Sequence, residues 1–446
     1  MKSTLKTWVL SLGLMAAASI APVFAQDSAL VEALVKKGIL TNAEADEIKA
    51  DLVKEYQKTG GGKIELGSHV KKLKLYGDAR LRYTWDQRDV KSPSRTPAVT
   101  GGEDRHVQQS RTRYRLRVGA EYKFTDNFEG GFQLASGAPN DSANQSFGAG
   151  YGKFGINVDL LYLKYNPADW VSLIAGRQKL PFYTTDMIWD ADINPEGATE
   201  IFTWQANDCV TVDFIAGQYY FADNNENATA TVGNTDVWQF YEQAKVTWKP
   251  TKDISVILAP GVLTYTAGST VPVNTGSPSF LTADGANNLN LLLFPGEVKG
   301  KICDLPVRGY WDFSYNTEGS ARVQQTYGVS SQNRDLTDDI AWLVGVKVGD
   351  NKKKGDWSLD ANFRTVGLGA VDPNLADADP LLGYLNQQGV KVSGTYNFTD
   401  SVTGTISYFT SWSYKDDLNV PQMGGASALV NADRTNLLQC DLNWKF

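Results

Sequence analysis

Cysteine and histidine are nearly missing from this chain. The three cysteines, Cys209, Cys303 and Cys440, lie far apart with no metal-ligand spacing, and the two histidines, His69 and His106, give a hydrolytic triad almost nothing to draw on. Beyond residue 25 no run approaches the roughly 18 to 20 apolar residues that a spanning helix requires. A mean hydropathy of -0.31 agrees, and together these exclude a helical membrane protein. A basic excess is lacking too: the formal charge is -7, which argues against a nucleic-acid partner. Neither an enzyme nor a cofactor is expected.

What is abundant is aromatic and glycine: 12 Trp, 20 Tyr and 41 Gly. The aromatics recur near the ends of short alternating segments, as in the interfacial girdles of membrane barrels. The last segment, NLLQCDLNWKF, places Leu438, Cys440, Leu442, Trp444 and Phe446 on one face and Leu437, Gln439, Asp441, Asn443 and Lys445 on the other. A terminal strand with one dry face needs a partner strand. Closing the sheet into a barrel, dry face to lipid, supplies it.

The N-terminus, MKSTLKTWVLSLGLMAAASIAPVFAQ, has the form of a secretory signal cleaved after Ala25. Loss of Lys2 and Lys6 moves the formal charge from -7 to -9. Residues 26–58 carry helical stripes, with Leu30, Val31, Leu34 and Val35 in a first helix and a Thr41/Glu44 capping box opening a second. They predict a periplasmic helical hairpin or coiled-coil segment, followed by a linker over 59–72. From residue 73 to 446 the pattern is strands. Four short turns, EYKFTDNFEGG, KYNPADWVSLIAG, TWKPTKDISVI and TYNFTDSVTGT, alternate with long connections at 89–109, 138–154, 266–287, 367–386 and 415–433. That asymmetry predicts an all-β, closed antiparallel transmembrane barrel of about sixteen strands. Eighteen is the alternative, because Pro295 interrupts one segment.

Three stretches, LVKKGILTNAEADEIKADL, the strand ending in Phe446, and GRQKLPFYTTDMIWDADINPEG at 176–197, resemble bacterial outer-membrane porins, and among them the "putative porin" family. The resemblance implies a water-filled pore for small hydrophilic solutes or anions, surrounded by outer-membrane lipid. It also implies a homotrimer, and recognition of Trp444 and Phe446 by the barrel-insertion machinery. A structural tether reaching the cell wall through residues 27–57 is the other reading.

The segment SRTRYRLRVGAEYKF aligns Arg111, Arg113, Arg115 and Arg117 on one face. An outward Arg near the membrane midplane costs roughly 2 to 4 kcal/mol, so four would cost on the order of ten. They must point into the lumen, joined by Arg80 and Arg82 of the preceding strand. Either neighbouring carboxylates neutralise this ladder as scaffolding, or it forms an anion-attracting wall. Facing it, residues 181–198 form the third long connection. In trimeric porins that connection folds inward, and here it would bring Asp186, Asp190, Asp192 and Glu196 as a candidate constriction, anchored by Phe182 and Trp189. DADINPEG resembles the start of a calcium loop, but Pro195 and Ile201 stand where such a loop needs Gly and Glu, so no metal site is expected.

Overall fold

In the computed structural model the chain divides into two units, Met1–Ile64 and Glu65–Phe446. The structure describes residues 35–37, 40, 41, 44, 45 and 48 of the first, and 71–90, 105–137, 142–148, 150–222, 236–266, 289–327, 339–380, 385–415 and 432–446 of the second. In the first unit Thr41 N donates to Glu44 Oε2 at 2.8 Å and Glu44 N donates back to Thr41 Oγ1 at 3.3 Å, the reciprocal geometry of a capping box. The signal segment, most of the expected helical hairpin, and with it the tether reading, lie outside the described residues.

Among the described residues the second unit is one closed antiparallel sheet of nineteen strands. They are β1 (Lys72–Val90), β2 (Arg105–Lys123), β3 (Phe128–Ser136), β4 (Gln145–Ser146), β5 (Ile156–Ala168), β6 (Val171–Arg177), β7 (Glu196–Asn207), β8 (Val210–Ala222), β9 (Val237–Trp248), β10 (Ser255–Leu258), β11 (Gly261–Tyr265), β12 (Asn290–Leu293), β13 (Gly296–Ile302), β14 (Leu305–Asn316), β15 (Ile340–Gly349), β16 (Trp357–Val366), β17 (Gln387–Asn397), β18 (Val402–Ser413) and β19 (Ala432–Lys445). Sixteen staves result. β4 continues the line of β3 along β2, while β10 with β11, and β12 with β13, are single staves broken at Pro260 and Pro295. Proline has no N–H to give the ladder, and the two breaks lie side by side, with Ala259 N donating to Pro295 O at 3.0 Å. Eighteen staves are therefore excluded.

The seam joins β1 to β19. At its lower end Phe446 and Gly77 exchange backbone hydrogen bonds of 3.0 and 2.9 Å, and the bare face of Gly77 leaves room for the Phe446 ring that any Cβ would invade. The terminal aromatic thus completes the ring.

Alternation sets the two faces. Outward residues such as Leu161, Leu163, Val344, Leu359 and Ile406 are exposed, as are Trp204, Trp248, Trp357 and Trp444 toward the short-turn end and Trp342 and Trp412 toward the long-loop end. This is an apolar belt between aromatic girdles. Two carboxylates break it: Glu200 and Glu242 lie at one level on either side of Ala216, beside a depression of about 490 Å³ lined by Phe202, Phe214, Val262 and Phe294.

A uniformly polar tube, the simplest expectation for sixteen strands, is not what the interior holds. In the long-loop half, Ile215 and Tyr219 of β8, Tyr241 of β9, Leu263 of β11, Leu291 and Leu293 of β12 and Leu343 of β15 are buried in one apolar cluster. They receive Phe182, Met187, Ile188 and Trp189 from the β6–β7 loop, Leu368, Val371 and Leu375 from the β16–β17 loop, and Val323 of helix α1 (Gly319–Tyr327). One side of the interior is filled with folded loop. The opposite side is the arginine wall.

Candidate functional site

The wall is made by register. β1 and β2 pair along their whole length, setting Asp78 opposite Arg117, Arg80 opposite Arg115, Arg82 opposite Arg113 and Thr84 opposite Arg111. Inward residues recur about every 7 Å along a strand, so six guanidinium groups share a patch two strands wide. Like charges directly opposite one another repel, and most of this patch is relieved by carboxylates. Asp78 accepts from Arg115 at 3.0 Å and Arg117 at 2.8 Å. Arg82 is forked onto Asp441 of β19, with 2.7 and 2.8 Å hydrogen bonds, and also reaches Asp379 at 2.8 Å. Asp86, fully buried, holds Arg111 at 3.1 Å and Arg88 at 3.3 Å. Arg80 and Arg113 differ. Among the described residues neither has a carboxylate within salt-bridge distance: Arg80 donates to Asn144 Oδ1 at 2.6 Å, and the Nε atoms of both, like those of Arg111 and Arg115, are buried without a hydrogen-bond acceptor.

The β6–β7 loop, residues 178–195, folds into the interior and touches β2, β9, β14, β16 and β17. Toward its C-terminal end Asp192 meets Arg115 at 3.2 Å and Arg117 at 3.4 Å. Midway along it Asp186 meets Arg364 of β16 at 2.7 Å and Lys391 of β17 at 3.0 Å. Just before, Gln243 of β9 clamps the Tyr183 backbone, accepting from its N–H and donating to its carbonyl, both at 2.8 Å. Asp312 of β14 accepts from Thr185 N and Oγ1 at 3.2 and 2.8 Å. Phe182 stacks on Tyr241 with ring centroids 3.8 Å apart, and Trp189 Nε1 donates to Ile193 O at 3.0 Å. Both aromatics are buried.

The β16–β17 loop locks onto it. Asp190 N donates to Leu375 O at 2.6 Å and Asp377 N to Asp186 O at 2.9 Å, while buried Asp372 takes a short hydrogen bond from Tyr265. Electrostatics differ sharply among the loop carboxylates. Burial opposes the charge of Asp186, but the Arg364 and Lys391 cations hold its carboxyl well below the usual range. Burial pushes Asp377 well above that range, and Asp379, Asp190 and Asp186 add to the push. Burial, with Arg117 nearby, lowers Lys179.

The expected acidic set therefore divides. Asp192 faces the arginine wall, and Asp186 turns to a separate basic pair on β16 and β17. Asp190 accepts from Asp192 N at 2.8 Å within the loop. Glu196 belongs to β7 and pairs with Arg177 at 2.5 Å, away from the ladder, because the loop ends at Pro195. Sequence reasoning missed Asp379 and Asp441 as partners of Arg82. Asp441 lay on the wet face of the terminal strand, and the closing register placing it opposite Arg82 would have found it. No group of His, Cys, Asp or Glu among the described residues could hold a metal ion, and the three cysteines are free thiols.

The model of the family described as "Putative porin" matches residues 45–284. The chain belongs to that family. Among solved structures, this porin is similar to Salmonella typhi OmpF, in a structure titled as its complex with daunomycin, with a TM-score of 0.46 and 11% identity over 86% of this chain and 100% of that one. No curated protein matches it.

Proposed function

We propose that this porin forms a water-filled channel in the bacterial outer membrane through which small hydrophilic solutes diffuse passively, with a moderate preference for anions. The signal segment 1–25 and the periplasmic location of 26–58 belong to the same proposal. The observation that carries it is the unequal neutralisation of the wall: six inward guanidinium groups on β1 and β2, of which Arg80 and Arg113 have no carboxylate within salt-bridge distance among the described residues. Net charge points the other way, at -7 for the full sequence, but exposed charge is screened beyond about 8 to 10 Å at physiological salt, so lumen residues govern the permeating ion. Replacing Arg113 and Arg115 together by Ser is expected to move the zero-current potential in a salt gradient toward cation selectivity without unfolding the barrel. An unchanged potential would reduce the ladder to scaffolding.

The porin is further proposed to be a homotrimer. Carboxylates facing lipid are costly, and a neighbouring subunit over Glu200 and Glu242 would remove that exposure. An unheated detergent gel is expected to give an oligomer that boiling converts to monomer; a monomer in mild detergent would refute the assembly and leave the channel standing.

A further inference from the structure

Of the wall's six arginines, Arg80 and Arg113 are diagonal neighbours, because Arg80 pairs with Arg115 and Arg113 lies two residues before it on β2. Diagonal positions on one face are roughly 7 to 8 Å apart, within reach of long side chains. Their flanking arginines are committed: Arg82 is forked by Asp441 and held by Asp379, and Arg115 lies between Asp78 and Asp192. The two that remain lie one diagonal apart on the same face of adjacent strands. Arg80 is steadied from one side by Asn144, whose own Nδ2 donates to Ser142 Oγ at 3.2 Å, so the Asn144 carbonyl is oriented toward the arginine. The Nε donors of Arg80 and Arg113 are buried with no protein acceptor among the described residues.

We propose that Arg80 and Arg113 form a binding site for a phosphoryl group, as inorganic phosphate or a phosphate monoester, held between the two forks. The chemistry favours this class. A planar carboxylate satisfies one fork in a bidentate pair, whereas a tetrahedral dianion offers oxygens in different directions to two forks at once. Guanidinium groups suit the task because they stay charged and present donors in a fixed plane. Asp441, Asp78 and Asp192 tie down the neighbouring arginines, and so confine the attraction to this one diagonal. The site makes the channel more than a diffuse positive field: a phosphorylated solute would dwell there while chloride passes. This rests on the anion-preferring channel reading, and the test separates the two.

Calorimetric titration of the folded porin in detergent with inorganic phosphate, glycerol 3-phosphate and acetate reads binding without requiring conduction. Inorganic phosphate is expected to bind, and acetate at least about tenfold more weakly, the factor expected for losing one charge-assisted contact. Glycerol 3-phosphate binding as well would make phosphorylated solutes the ligands, and its exclusion would leave free phosphate. The variant R80K/R113K keeps both charges and removes both forks. It should lose phosphate affinity by about tenfold or more while its heat-modifiable gel mobility, the sign of a folded barrel, stays that of the parent. Equal phosphate affinity in parent and variant, or acetate bound as well as phosphate, would overturn the site and leave the channel reading intact. A parent that binds phosphate but gives no conductance would sink the channel reading alone.

Discussion

Asp186→Asn tests whether the infolded loop sits in the permeation path. The wild-type carboxylate bridges Arg364 and Lys391 at 2.7 and 3.0 Å, and the Arg364 side chain is only 3% exposed. Removing one partner of a buried ion pair costs about 3 to 5 kcal/mol. Because Asn keeps one acceptor oxygen and Arg364 keeps Asn362 Oδ1 at 3.2 Å, about 3 kcal/mol is expected here. Met187, Ile188 and Trp189 remain buried, at about 2 kcal/mol each, so the loop stays docked with its Asp186 contact loosened. Selectivity should shift as well. A unit charge about 8 Å from a permeating ion is worth about 0.5 kcal/mol at the dielectric of water. Screening over a Debye length of similar size leaves roughly 0.2 kcal/mol, with opposite signs for anion and cation. The anion-to-cation permeability ratio should therefore rise about twofold, accompanied by more open-channel noise. Planar-bilayer recording in a salt gradient reads both. Unchanged ratio and noise would place the loop outside the path and refute the reasoning.

Trp189→Ala removes a buried anchor and should destabilise the loop by about 3 to 5 kcal/mol, raising single-channel conductance while the barrel keeps its heat-modifiable mobility; equal conductance would contradict a packed, constricting loop. Gly119→Val places a Cβ 2.6 Å from both the Tyr76 ring and Phe132 O, so a loss of about 1 to 3 kcal/mol and a narrower pore are expected, read by thermal unfolding and liposome swelling with graded sugars. The Asp377 carboxyl, raised by burial and its acidic neighbours, contributes stability that is present below its unfolded value of 3.8 and lost as pH rises through the higher folded value. Asp377→Asn should abolish that loss above pH 3.8 in pH-dependent unfolding. Asp186, shifted downward, contributes above 3.8 and loses its contribution as pH falls through its lowered folded value, so Asp186→Asn should flatten the acid limb instead.

The staves were legible because each is alternating and bounded by turn residues: strands expected to begin near 73, 127 and 401 begin at Lys72, Phe128 and Val402. Pro260 and Pro295 announce the broken staves once it is seen that a proline can interrupt a stave without ending it. Two things were less legible. The apolar half of the interior defeats the rule that inward means polar, although the near-continuous run LNLLLF at 289–294 carries the sign of a strand apolar on both faces. The partners of the arginines lie far along the chain, Asp379 in a loop and Asp441 across the closing seam, and pairing at that separation follows from closure and loop docking, not from local pattern.

The most direct test of the central claim is single-channel recording of the purified porin in a potassium chloride gradient. Stable conductance steps with a zero-current potential on the anion side are predicted. A correctly folded barrel that stays silent would contradict the channel, and steps with a cation-side potential would contradict the arginine wall as its selectivity element.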